Sequence, residues 1–139
     1  MRFVIGTDEG RPVVEHIAAH LKAKGHEVEV LAPIAWGEAS IAVARAVAEK
    51  RVEQGVVCCW TGTGASIAAN KVHGVRAALC VDAQTAAGAR MWNDANVLAL
   101  SLRLLSDAVA TEIVDAWLDT KYGGTEDASL GRISEEERR

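Results

Sequence analysis

The stretch Gly55–Lys71, GVVCCWTGTGASIAANK, contains the makings of a strand, a sharp turn and a helix. Val56, Val57, Cys58 and Cys59 form a short apolar run of the kind that fills a central strand buried on both faces. Gly62 and Gly64 break that pattern, and from Ala65 the composition is that of a helix. A chain leaving a parallel strand through glycines presents free backbone N–H groups above the strand's carboxyl end. The next helix turns its positive pole to the same place. The turn is therefore suited to an anion, or to negative charge that develops during a reaction.

Working outward, the same alternation recurs. Arg2–Gly6 reads as a first strand, and Gly6–Gly10 as its loop. Pro12 opens a helix that runs to about Lys24 and stops at Gly25, before a second strand at Glu27–Leu31. Ala32–Glu38 reads as a loop and Ala39–Lys50 as an alanine-rich helix. After the glycine turn, a helix to about His73, a strand over Arg76–Val81 and a short helix over Ala83–Arg90 follow, the last capped by Asp82. Trp92–Asp94 reads as a polar loop, Ala95–Leu100 as a fifth strand, and a final helix capped by Ser106 or Asp107 reaches Asp119. Five strands alternating with five helices predict a Rossmann-like three-layer α/β/α sandwich around an open, mainly parallel five-stranded sheet. Ligands of such sheets bind at the carboxyl ends of strands, near a switch in strand order. Asp8, Cys59, Asn93 and the glycine turn are all expected at that end.

The 139 residues suit one domain, here residues 1–122, followed by a charged tail over 123–139 whose last seven residues are expected to be mobile or docked on a neighbouring subunit. Half the residues are apolar, which argues against disorder, and no apolar run is long enough for a membrane span. The start MRFVIGTDEG lacks the basic segment and apolar core of a signal peptide, so the expected location is the cytoplasm. A net charge of −4 argues against a nucleic-acid-binding surface. The three cysteines supply no disulfide framework, and the absence of CxxC, HExxH or a Cys/His cluster leaves a zinc site without support.

Each candidate residue has two readings. Cys59 is either a small buried hydrophobe or a thiolate favoured by the helix N-terminus behind it. Cys58 faces the other way and packs, as does Cys80, and this separation disfavours thiol redox chemistry between the adjacent cysteines. Thr61–Ser66 is neither GxGxxG nor a Walker loop, so a nucleotide site is weakly supported. Its backbone donors fit an oxyanion instead, with Cys59 placed as the base. Asp8 either caps the first helix or accepts hydrogen bonds from sugar-like hydroxyls. Asn93 either closes its own loop or contacts a ligand, and Arg103 is a surface cation or an anion-binding group. Trp36, Trp60 and Trp92 are expected near one rim, as a partly apolar pocket or a subunit interface.

With those residues in view, the chain resembles the ribose-5-phosphate isomerase B and galactose-6-phosphate isomerase family. Cys59–Lys71 follows the family's CGTGxGxSIAANK, with Trp60 in place of the first glycine. Asn93–Leu100 matches a second block, and Gly6–Asp8 the opening GSD. The resemblance implies aldose–ketose isomerisation of a sugar or sugar phosphate through a cis-enediolate. It implies no metal and no organic cofactor, and a homodimer or dimer of dimers with shared active sites. Cys59 matches the base that moves a proton between C1 and C2, and Thr61 the threonine beside the ring oxygen. The backbone of Gly62, Thr63, Gly64 and Ala65 matches the enediolate site, Asp8 and Asn93 match sugar contacts, and Arg103 matches a phosphate-associated arginine.

The chain departs from the family pattern at Glu9 and Trp92, each in place of a histidine, the second of which is the ring-opening group. Gly123–Asp127 replaces a GGRH-like segment, with no arginine until Arg132. Glu9 and Trp92 are thus pocket candidates that imply a substrate different from, or broader than, ribose 5-phosphate. A non-catalytic sugar- or metabolite-binding regulatory protein is the alternative.

Overall fold

The computed structural model describes all 139 residues and contains five strands and six helices. In chain order these are β1 (Arg2–Thr7), α1 (Pro12–Ala23), β2 (Glu27–Val30), α2 (Trp36–Ala48), β3 (Gln54–Cys59) and α3 (Thr63–Asn70). The second half contains β4 (Ala77–Leu79), α4 (Ala83–Asn93), β5 (Val97–Ser101), α5 (Asp107–Asp119) and α6 (Asp127–Glu137). The strands form one sheet in the order β2-β1-β3-β5-β4, and every pairing is parallel. The expected three-layer sandwich is present.

The apolar strand residues alternate between two cores because successive side chains in a strand face opposite ways. Ile5, Val56, Cys58, Leu98 and Leu100 pack with Ile17 of α1, Ala86 of α4 and Ile113 of α5. On the other face Val4, Val57, Cys59, Val97 and Ala99 pack with Val43 and Val47 of α2 and Ala65 and Ala69 of α3. Gly55 lets α2 approach β3, since a Cβ there would lie 2.3 Å from Val43 Cγ1. β3, the middle strand, is buried at all six positions, which is why its sequence reads as a continuous apolar run after Gln54 and Gly55.

Two helix boundaries differ from the sequence reading in ways that affect the site. α2 begins at Trp36 rather than Ala39, so Trp36 is the first residue of a helix and not part of a loop. α4 runs on to Asn93, so Trp92 and Asn93 are helical as well. The expected position of Asn93 is corrected as well. In a parallel sheet a residue that ends a helix and precedes a strand lies towards the strands' amino ends, opposite the glycine turn.

The tail differs more. It forms α6, which has no buried residue and therefore carries little apolar periodicity to read. Tyr122 donates its hydroxyl to Asp127 at 2.6 Å and accepts the Glu126 N–H, while the Gly123 N–H binds the Met91 carbonyl. At the far end the Glu137 carboxylate accepts the Gly74 N–H at 3.2 Å. The final residues are thus mostly helical and tied to their own chain. No helix is long and apolar enough to cross a membrane.

One buried polar contact ties α5 to the sheet: Trp117 Nε1 donates to Gln54 Oε1 at 2.9 Å. Trp117 is 2% exposed, so no water replaces a lost acceptor. Gln54→Ala is expected to cost about 1–3 kcal/mol by leaving the indole N–H unpaired. The check is a lower urea midpoint at unchanged slope.

Candidate active site

The chain passes from β1 to β2 on one side and then returns to β3 on the other side of β1. This reversal opens a crevice between the carboxyl ends of β1 and β3. Thr7 is in register with Cys58, so the next residues along, Asp8 and Cys59, face each other across the crevice. A cavity of about 260 Å³ lies there, lined by Asp8, Trp36, Cys59, Trp60, Thr61, Thr63 and Gly64. A larger hollow of about 570 Å³ lies elsewhere, between α6 and the β4 edge, and contains none of the catalytic candidates of the glycine turn.

Cys59 is 5% exposed and lies on the opposite core face from Cys58. Its Sγ accepts the Gly62 N–H at 3.2 Å, which fixes the sulfur beside the cavity. Gly62 reaches that position with φ +76°, and a Cβ there would lie 2.5 Å from Leu79 Cδ1 and 2.9 Å from the Leu100 carbonyl carbon. Only glycine fits both restrictions. Past Gly62, the N–H groups of Thr63, Gly64 and Ala65 open α3 and have no protein acceptor. The Thr61 and Thr63 hydroxyls are 2.7 Å apart. The strand end is fixed by β5: the Leu102 and Arg103 N–H groups bind the Cys59 and Trp60 carbonyls at 2.9 Å, and Ser101 Oγ also donates to the Trp60 carbonyl.

Cys58 and Cys80 are buried, and their thiols are pushed up to about 12. Burial is the main cause for each; Cys59 and Asp8 add to it for Cys58, and Asp82 for Cys80. Both remain protonated at neutral pH, in line with the packing roles read from the sequence.

Asp8 does not cap the first helix. The N-cap of α1 is Arg11, without a side-chain cap bond, while Asp8 Oδ1 is buried and unpartnered. A buried acceptor with no donor is costly unless a ligand supplies one. Glu9 is positioned by Thr7, whose hydroxyl donates to the Glu9 carbonyl and accepts the Glu9 N–H. Its carboxylate binds Arg11 Nε at 2.6 Å, and the Arg11 guanidinium lies 4.9 Å from the centre of the Trp60 ring. Arg11 is the residue that sequence reading missed; its only signal was a cation directly before Pro12.

The cavity unites two of the three tryptophans expected at one rim. Trp36 lies against Gly64, where a Cβ would meet its ring at 2.9 Å, and Trp60 forms part of the wall. Trp92 is 53% exposed, lies against Gly88 and lines a different hollow, together with Asn93. Within one chain neither Trp92 nor Asn93 borders the Cys59 cavity, which corrects the single-rim expectation. Arg103 follows β5 at the correct end of the sheet, is exposed and makes no side-chain hydrogen bond or ion pair. No cluster of three or more His, Cys, Asp or Glu side chains is arranged to hold a metal ion.

Comparison with known proteins finds the same fold and a family match. The model of the ribose/galactose isomerase family matches residues 3–135. Ribose-5-phosphate isomerase B of Escherichia coli K12 is 39% identical over 131 residues, covering 88% of this chain and 87% of the relative. The solved ribose-5-phosphate isomerase B of Clostridium thermocellum superposes with a TM-score of 0.95 at 38% identity, covering 99% of this chain and 98% of the other. The Mycoplasma genitalium enzyme, solved with bound ribulose 5-phosphate, gives 0.94 at 34% identity, covering 99% and 97%. From its sequence and its fold alike, this chain belongs to the ribose/galactose isomerase family.

Proposed function

We propose that the chain is an aldose–ketose isomerase acting on a sugar or sugar phosphate, with Cys59 as the proton shuttle. The observation that carries this is a sulfur bonded to one backbone N–H, beside a cavity into which a helix opens with three N–H groups that have no acceptor. Proton removal next to a carbonyl needs one base within hydrogen-bonding reach and a preformed place for the resulting negative oxygen.

The Cys59 thiolate takes the C2 proton of the open aldose. The C2–H electron pair becomes the C1=C2 bond, and negative charge moves to O1 of a cis-enediolate. The N–H groups of Thr63, Gly64 and Ala65 stabilise that charge, and Gly62 keeps the sulfur in place. The hydroxyl proton passes from O2 to O1, C1 takes the proton from Cys59, and the carbonyl forms at C2. Asp8 supplies the acceptor for a sugar hydroxyl, in keeping with its buried oxygen that has no other donor. Thr61 stands beside the ring oxygen of a cyclic substrate.

Trp92 and Asn93 serve the site of a second copy, because their position on α4 keeps them from their own Cys59 cavity. A homodimer or dimer of dimers then has shared sites, with Trp92 where the ring-opening histidine stands in the family pattern. The substrate accordingly differs from, or is broader than, ribose 5-phosphate, or is taken already open. Arg103, free of any side-chain partner, is available to an anionic group.

Cys59→Ala is expected to lower turnover by about 10²–10⁴-fold, the usual worth of a positioned base, and to abolish C2 proton exchange in deuterated water. Retained exchange, on a panel of ribose 5-phosphate, allose 6-phosphate and free pentoses, overturns the assignment. Binding without exchange in the unaltered protein identifies a regulatory binder instead. Gly62→Ala is expected to lower kcat by about 10²-fold or more, because the added Cβ displaces the turn that positions Cys59 and the α3 N–H groups, while circular dichroism of the strands is retained.

A further inference from the structure

Three features at the cavity mouth are joined in a way that the sequence pattern does not suggest. Glu9 and Trp60 are far apart in the chain, and both depart from the family pattern. Arg11 touches both, with Nε on the Glu9 carboxylate at 2.6 Å and the guanidinium 4.9 Å from the Trp60 ring centre. Trp60 in turn forms the cavity wall beside Cys59. The backbone supports this geometry: the Arg11 N–H binds the Glu9 carbonyl at 3.1 Å, and Thr7 holds Glu9 from the other side.

Glu9 therefore does not make the rim repulsive by itself. Its charge is matched by Arg11, and no Lys or Arg is among the residues that line the Cys59 cavity. The Glu9 and Arg11 side chains are 47% and 42% exposed, so their ion pair is weak and readily exchanged. A phosphate monoester carries more charge than a carboxylate and suits a planar guanidinium, which donates two parallel N–H···O bonds to it. Stacking on Trp60 limits the positions of that guanidinium, so less freedom is lost when an anion binds.

We infer that Arg11, stacked on Trp60 and held in reserve by Glu9, is a specificity-determining residue that binds the anionic end group of the substrate by exchanging Glu9 for it. The ligand class is a sugar bearing a terminal phosphate. Glu9 acts as an internal competitor, and the indole of Trp60 sets where the phosphate end rests relative to Cys59. This inference rests on the isomerase reading for the identity of the site, but the phosphate exchange is measurable without turnover.

The test compares Arg11→Met, Arg11→Lys and Glu9→Gln in the full-length protein, with inorganic phosphate titrated by calorimetry and sugar phosphates of four to six carbons assayed beside their unphosphorylated counterparts. A merely structural pair predicts that breaking it from either side has the same effect, whereas exchange predicts opposite effects. Arg11→Met is expected to weaken phosphate binding and raise KM for the phosphorylated sugar by about tenfold to a hundredfold, as loss of a charge-assisted bond does, with the change concentrated in KM rather than kcat. Arg11→Lys is expected to fall between, because it keeps the charge without the planar fork. Glu9→Gln is expected to tighten phosphate binding by about two- to fivefold, by removing the competitor.

Phosphate binding that is unmoved by Arg11→Met, or weakened alike by Arg11→Met and Glu9→Gln, overturns the inference. So does a KM change of equal size for phosphorylated and unphosphorylated sugars. Failure of the isomerase reading looks different: C2 exchange persists in Cys59→Ala while phosphate still follows Arg11.

Discussion

The pairing of β1 with β3 is the constraint on which the site depends. Asp8 and Cys59 are separated by half a domain in sequence, yet the Thr7–Cys58 register brings them to opposite sides of one crevice. Parallel strands need long crossovers, and the chain leaves β1 and β3 towards helices on opposite faces of the sheet, α1 and α3, so neither helix closes the gap between the two strand ends. A slip of one residue would turn Cys59 towards the other core and bring Cys58 to the turn. Gly55 opposes that slip, since a Cβ at its position would lie 2.3 Å from Val43 Cγ1 and any neighbouring β3 residue moved there would collide with α2. The geometry of the crevice and the packing of the core are in this respect the same fact.

How much of this was legible in the sequence follows from where the information lies. The fold rests on local signals: apolar runs of strand length, glycine at the turns, Pro12 at the start of a helix and alanine-rich faces. The glycine turn could be read as a donor cluster because the strand, Gly62 and the helix are contiguous. Arg11 could not, because its meaning comes from Trp60, which only the folded sheet brings near. Asn93 lies at the strands' amino ends because it directly precedes β5, whether it is read as loop or as the end of α4, so the expectation of it beside the glycine turn rests on its residue type and not on chain order. α6 escaped because a helix with no buried face has no apolar rhythm, and it is held by Glu137 on Gly74 and Tyr122 on Asp127 instead.

The two cysteines illustrate how environment separates identical chemistry. Cys58 is enclosed and its thiol is driven up to about 12, largely by burial. Cys59, the next residue, faces the other way, touches a backbone donor and borders the cavity. The alternation of a strand supplies that contrast at no extra cost. Asp8 completes it, with a buried carboxylate oxygen beside the same cavity that no protein donor reaches.

The tryptophans have a consequence of a different kind. Trp36 and Trp60 border the cavity and are about half exposed, whereas Trp117 lies inside the core with its indole N–H bound to Gln54. Indole emission shifts with the polarity around the ring, so the protein carries its own optical reporters, two at the crevice and one that senses only the integrity of the core. With Trp92, the fourth indole and also exposed, replaced by Phe, a change confined to the red side of the spectrum signals occupancy of the crevice, and a change on the blue side signals loss of the fold.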